Sequence, residues 1–276
     1  VTPEILKAEL AELGYTANME ILDASCFGVP QRRNRVIFLA YKSDKKKPEF
    51  PTPIENEKKV TLGEAISDLV SRTRNKRFKH TEFQKNSLNG RTPSISGKPV
   101  ALEGDYLNNE LPNHSNIIVE RFSLYKEGED SATIKRRIKK EGISLDGKKA
   151  LINLCAVGLG ITADDVVAAY ENDVTDEMIE VLMTKKNMRR KLEKNSVSPT
   201  VVTLPDDYIS PYESRTFSVR ELARLQSFDD SFEFLGKRTT GGPRRRVEVP
   251  QYSQVGNAVP PLLARAVAIE IIKVLK

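Results

Sequence analysis

The sequence predicts an α/β protein of two lobes, the first of them divided between the two ends of the chain. Three observations lead there. Within residues 3–40 a helix-period pattern, an apolar stretch, a Gly-Pro turn and a second apolar stretch follow in turn, which is the order of an α/β unit. At the far end, residues 258–276 place Val259, Leu262, Leu263, Ala266, Ile269 and Val274 on one helical stripe. Such a stripe needs a sheet to pack on. Between these two parts, residues 51–247 mix short helical patterns with polar loops and read as a second lobe.

The first helix covers residues 3–14. Thr2 is its N-cap, Pro3 takes the first helical position, and Ile5, Leu6, Leu10 and Leu13 recur at helical spacing. Gly14 ends it. Residues 19–22 form a short strand, and Phe27-Gly28-Val29-Pro30 is a turn. Gln31-Arg32-Arg33-Asn34-Arg35 then runs straight into Val36-Ile37-Phe38-Leu39-Ala40, a short buried strand. Strand alternation puts Arg33 and Arg35 on one face. Cations at the mouth of a buried strand can hold an anion or a carbonyl oxygen, although a basic loop at a strand end is the plainer alternative. Lys42, Lys45, Lys46 and Lys47 open a linker that runs to Pro53.

In the second lobe, Thr61 and Glu64 form a capping box at the start of a helix over 62–69. Residues 71–112 read as loops and short strands carrying Arg72, Arg74, Lys76, Arg77 and Lys79. A segment of this kind lies along phosphates or is ordinary basic surface. Residues 115–141 are helical, with Ile117, Ile118, Phe122 and Leu124 as the apolar face and a basic patch at 135–140. Two further helices, 162–170 and 175–183, are capped by Thr162 and Thr175. A second basic run occupies 185–191; both runs suit a DNA face or a solvated one. Residues 198–203 read as a strand, and Ser218 with Glu221 as a capping box opening a helix through Leu225. Gly241-Gly242-Pro243-Arg244-Arg245-Arg246 is a basic loop. Gln254-Val255-Gly256-Asn257-Ala258-Val259-Pro260-Pro261 opens the last helix, whose N-terminus favours negative charge.

Length and composition set the outer bounds. A chain of 276 residues supports one large or two modest cores. With 39% apolar and 30% charged residues it is neither low in complexity nor membrane-like. No apolar run approaches the roughly 20 residues of a spanning helix, and no signal-peptide pattern opens the sequence. Cys26 and Cys155 make no disulfide framework and suit a reducing compartment. Cys26 reads as part of the turn and Cys155 as a small core residue. His80 and His114 stand apart from them, so no metal site is expected. A net charge of +6 permits a polyanionic partner. Val1 opens the sequence in what reads as mid-domain, so a piece of a longer protein is expected.

Three segments carry a resemblance. Gly28-Val29-Pro30-Gln31-Arg32-Arg33-Asn34-Arg35-Val36 resembles the eighth motif of the cytosine-C5 DNA methyltransferases. Arg215-Thr216-Phe217-Ser218-Val219-Arg220-Glu221 resembles the ninth, and Gln254 to Pro261 the tenth. They stand in the family's order, with the long gap where the family keeps its target-recognition region. The resemblance implies a partial Rossmann-like methyltransferase domain (residues 1–50, rejoined by a helix over 248–276) and a loop-rich target-recognition domain over 51–247.

It also implies roles. Arg35 would contact O2 of a flipped cytosine, Arg33 would support the same pocket, and Gln31 would hydrogen-bond behind it. Asn257, Ala258 and Val259 would lie against S-adenosylmethionine. Thr200 and Arg215 would position the DNA backbone or brace the recognition lobe, and Arg244, Arg245 and Arg246 would meet duplex DNA. Yet neither cysteine follows a proline, and the family's Glu-Asn-Val motif and Gly-rich cofactor loop do not occur. The expectation is therefore the C-terminal part of a restriction-modification-type enzyme, inactive without its N-terminal half, which would be fused to it or a separate subunit. Exposed apolar surface would be covered by that half or by self-association. The setting implied is the bacterial cytoplasm, at the nucleoid. The alternative is a non-catalytic DNA-binding subunit, with an RNA-methylating relative as a weaker third reading.

Overall fold

The computed structural model describes residues 2–54, 58–70, 79–94, 96–184, 189–239, 244 and 247–275. The elements begin with helix α1 (Pro3–Glu12) and strands β1 (Tyr15–Asp23) and β2 (Asn34–Lys42). Short helices α2 (Leu62–Ile66) and α3 (Glu82–Asn89) follow, then α4 (Asn116–Ser123), α5 (Ser131–Glu141), α6 (Lys149–Leu159), α7 (Ala163–Asn172) and α8 (Asp176–Leu182). Two-residue strands β3 (Arg190–Lys191) and β4 (Tyr208–Ile209) precede α9 (Val219–Leu225), α10 (Gln251–Asn257) and α11 (Pro261–Leu275). The molecule is mixed α/β. Among the described residues no single helix is long and apolar enough to cross a membrane.

The first lobe is a hairpin with helices. Thr2 Oγ1 accepts from Ile5 N at the start of α1. The antiparallel pair β1–β2 runs in the register Ile21↔Val36 and Leu22↔Arg35, and both strands are longer than the sequence predicts. A 3-10 turn over Ala24–Phe27 and Gly28, at φ +77°, join them. Glycine takes this left-handed turn without a Cβ clash. The core here consists of Leu22, Ala24, Phe27, Val29 and Leu263, the last from α11. The strand expected to be buried is only partly so: Leu39 is covered, but Val36 and Ala40 are exposed. A two-stranded ribbon with one small core has too little cover to bury a strand on both faces.

Among the described residues, two larger cores lie in the stretch between the chain's ends. One is built from α2, α3, α9 and α10 around Leu62, Ile66, Phe217, Leu222, Tyr252 and Val255. The capping boxes expected at Thr61–Glu64 and Ser218–Glu221 are both made. The other gathers α4 to α8 around Phe122, Ile134, Ile138, Tyr170 and Leu182, with Cys155 inside.

Further sequence expectations are corrected: within 71–112, read as loops and short strands, Glu82–Asn89 is helix α3. Residues 115–141 form two helices, because Gly128 takes φ +84° and the Glu129 carboxylate accepts from Lys126 N, closing a turn between them. Residues 198–203 form no strand beyond a single bridge, Gln31↔Ser198. Pro199 has no donor to give a ladder, and Val201 N donates to the Gln31 side chain instead, at 2.6 Å. The last helix is two. α10 ends at Asn257, Ala258 is extended, and α11 begins at Pro261. Consecutive prolines exclude helical backbone just before each ring. Asn257 thus sits at a helix C-terminus, where the dipole does not favour an anion. α10 packs with α9, and Leu263 of α11 packs on the hairpin core.

Arg72, Arg74, Lys76 and Arg77, residues 185–188, and Arg245 and Arg246 lie outside the described residues.

Candidate functional site

The segment Pro30–Arg33 is the hub at which distant parts of the chain meet. Gln31 is fully buried. Its Nε2 donates to Leu225 O at 3.2 Å and Gln226 Oε1 at 2.8 Å, while its Oε1 accepts from Val201 N. Gln226 passes the link on, donating to Val255 O at 2.8 Å. Arg33, 3% exposed, sends Nη1 to Val201 O at 3.1 Å and Nη2 to Gly256 O at 2.7 Å. Its own backbone N–H donates to Asp23 Oδ1 at 3.1 Å. A buried guanidinium is tolerable because its fixed fork matches several carbonyls at once. One donor is left over: Arg33 Nε is buried and has no partner among the described residues.

Arg35 behaves differently. It projects from β2, is half-buried, and its recorded bond is a local one, Nη1 to Asn34 O at 2.9 Å. Burial pulls its guanidinium below the ordinary value, yet an arginine remains charged at neutral pH. The two arginines therefore divide the work: Arg33 faces in and is used, Arg35 is accessible and charged.

The remaining expected residues are placed as follows. Asn257, the last residue of α10, is exposed; in the turn that follows, Ala258 is half-buried and Val259 exposed. Thr200 is exposed, and its Oγ1 donates to Arg32 O at 2.8 Å. Arg244 is exposed. Arg215 does not face solvent. It is 6% exposed, forks onto both oxygens of Glu221 at 2.8 Å and reaches Glu213 Oε2 at 2.6 Å. Burial would lower its affinity for the proton, but the two carboxylates more than reverse that. The guanidinium is committed to Glu221 of α9 and to Glu213.

Sequence reading missed what lies beneath. Arg224 is fully buried between two carboxylates, at 2.8 Å from Asp68 Oδ1 and 2.6 Å from Asp230 Oδ2. Arg220, also buried, donates to the carbonyls of Leu107, Asp229 and Phe232, and burial pulls it down to about 10. The only sequence signal was the i, i+4 spacing of Arg220 and Arg224, which suits a solvated face equally well.

Residues 2–273 match the family description "C-5 cytosine-specific DNA methylase". The chain belongs to that family. It is 29% identical to the type II methyltransferase M.DdeI of Desulfomicrobium norvegicum, over 96% of this chain and 56% of the relative. It is 30% identical to M1.HphI of Haemophilus parahaemolyticus, over 97% of this chain and 52% of that one. A shorter stretch, 81 residues, is 51% identical to M.AquIB of Picosynechococcus and covers 29% of this chain and 58% of the relative. The chain thus spans about half the length of the first two relatives. A solved E. coli structure, a prophage-encoded protein assigned as a DNA modification methyltransferase, shares the fold with a TM-score of 0.58 at 19% identity, over 97% of this chain and 63% of that one.

Proposed function

We propose that this methylase-family chain is the C-terminal part of a DNA cytosine-5 methyltransferase, and that it supplies the base-pocket arginine and the recognition lobe while another segment carries the thiolate. The observation that carries the reading is the contrast between Arg33 and Arg35. Arg33 ties the motif-like stretches at both ends of the chain together, and Arg35 stands beside it, accessible, with its charge available.

The chemistry explains the need for such a cation. Carbon 5 of cytosine is a weak nucleophile until a thiolate adds to carbon 6. Negative charge then builds toward N3 and O2, and a fixed guanidinium at O2 stabilises it. The base has to leave the duplex first. Cys26 and Cys155 are poor sources of the thiolate. Cys155 lies in the helical core, where burial raises its thiol above the ordinary value, and a thiol held neutral is unreactive. Cys26 sits in the 3-10 turn, packed against the small core. The unpartnered Arg33 Nε is a buried donor suited to an acceptor brought by another segment.

S-adenosylmethionine, when bound, supplies the electrophilic methyl group. Of its site this chain offers one open wall, Asn257 to Val259. That wall suits an amide contact and an apolar edge but does not enclose the group. The exposed apolar side chains of Ile21, Val36, Ile269, Ile272 and Leu275 flank the same lobe and support a covering partner.

A duplex carrying 5-fluorocytosine, with S-adenosylmethionine present, tests the reading: once carbon 5 has taken the methyl group, fluorine in place of the proton leaves nothing for a base to remove, so the thiolate at carbon 6 cannot be eliminated. Mixed with a polypeptide bearing the family's Pro-Cys motif, this chain is expected to promote an adduct on that polypeptide. An adduct on Cys26 of this chain would overturn the assignment.

A further inference from the structure

A cleft of about 190 Å³ opens on the outer side of the Pro30–Arg33 hub. Arg32, Arg190, Ser196 and Ser198 line it, with Glu193 at its wall. Resting on the DNA reading above, we infer that Arg32 and Arg190 together seat one phosphate of the DNA backbone beside the base pocket.

Both arginines are exposed, and among the described residues neither lies in an ion pair. Both are carried by fixed backbone. Arg32 N donates to Ser198 O at 2.8 Å, and its carbonyl accepts from Thr200 Oγ1. Arg190 belongs to β3, which pairs with β4, and it bridges to Asp130 on its other side. Of the acids nearby, Asp130 feels the charge of Arg190 without forming an ion-pair contact with it. Asp130 Oδ1 accepts from Thr133 N at 2.7 Å, and Glu193 Oε2 accepts from Ser196 Oγ at 2.5 Å. Two arginines lining one cleft supply guanidinium donors that suit the tetrahedral oxygens of a phosphate. Arg32 is three residues from Arg35, about 10 Å of extended chain, and directly precedes the inward Arg33. A phosphate held there fixes the strand relative to the pocket while reading no base.

The test is binding of the full chain to duplex DNA, by fluorescence anisotropy, at several salt concentrations. Neutralising one phosphate contact lowers the slope of log affinity against log salt by about 0.9. Arg32→Gln and Arg190→Gln are each expected to lower it by up to that amount. The double variant is expected to lose about 0.9 in total, because both cations serve one phosphate. The loss should be equal on unrelated duplex sequences, and Lys at either position should restore most of it. Slopes unchanged in the variants, where the wild-type chain binds DNA, would overturn the clamp while leaving the methyltransferase reading intact. A double-variant loss near 1.8 would also overturn it, placing the arginines on separate phosphates. No salt-sensitive binding by the wild-type chain would overturn clamp and DNA reading together.

Discussion

Arg33 Nη2 donates to the carbonyl oxygen of Gly256 at 2.7 Å, across 223 residues of sequence. With Nη1 on Val201 O, a single side chain thus holds the start of β2, the 198–203 segment and the end of α10 in one arrangement. The accessible Arg35 inherits its position from that tie.

Removing Arg33 should therefore cost stability, and removing Arg35 should not. Arg33→Ala leaves two buried carbonyls without donors, at about 1–3 kcal/mol each. Arg35→Ala, at a half-exposed site with one local bond, should stay within about 0.5 kcal/mol. Urea denaturation of the two variants checks the contrast; equal losses would mean that Arg35 is structural too.

Gly256 is constrained from its other side. A Cβ there would lie 2.9 Å from the Thr203 backbone N and Cα. Backbone cannot swing aside as a flexible side chain does, so Gly256→Ala should destabilise by about 1–3 kcal/mol. A neutral effect in thermal unfolding would show that the 203 segment moves freely.

Arg224 sits between Asp68 and Asp230 with no exposure. Arg224→Met leaves two facing carboxylates buried without their cation, a change worth about 3–5 kcal/mol. The variant should unfold at much lower urea, whereas Arg136→Met, on an exposed helix face, should not.

Acid should weaken the helical core. Burial would raise the Glu129 carboxyl, but its bonds from Arg137 and Lys126 N outweigh that and hold it below the ordinary 4.5. Glu127 and Glu64 are lowered in the same way. The unfolded chain then takes up protons first, so this stability is fully present above about pH 4.5 and is lost as pH falls through the folded values. Glu129→Gln should be less stable at pH 7 and should lose less on acidification. Urea midpoints from pH 7 to 3 measure both.

Local signals in the sequence were enough for much of this. The capping boxes at Thr61 and Ser218, the Gly28 turn and the basic-to-apolar switch at Arg35 each specify a local conformation that tertiary packing then keeps. What escaped was decided at long range. Whether an arginine on a helix is solvated or buried depends on carboxylates far along the chain, and Asp68 lies 156 residues from Arg224. The 198–203 segment had strand-like residues, but its neighbour is a side-chain amide, not a strand. The helix break at 258–260 was missed, although Pro260-Pro261, which exclude helical backbone before them, signal it.

The proposed function has this chain complete an enzyme whose nucleophile lies on another segment. Transfer of labelled methyl from S-adenosylmethionine to duplex DNA tests it most directly, with the chain alone and mixed with a polypeptide bearing the Pro-Cys and Glu-Asn-Val motifs. The expected result is silence alone, turnover on mixing, and loss of that turnover with Arg35→Ala but not with Cys26→Ala. Methyl transfer by the chain alone, abolished by Cys26→Ala, would contradict it.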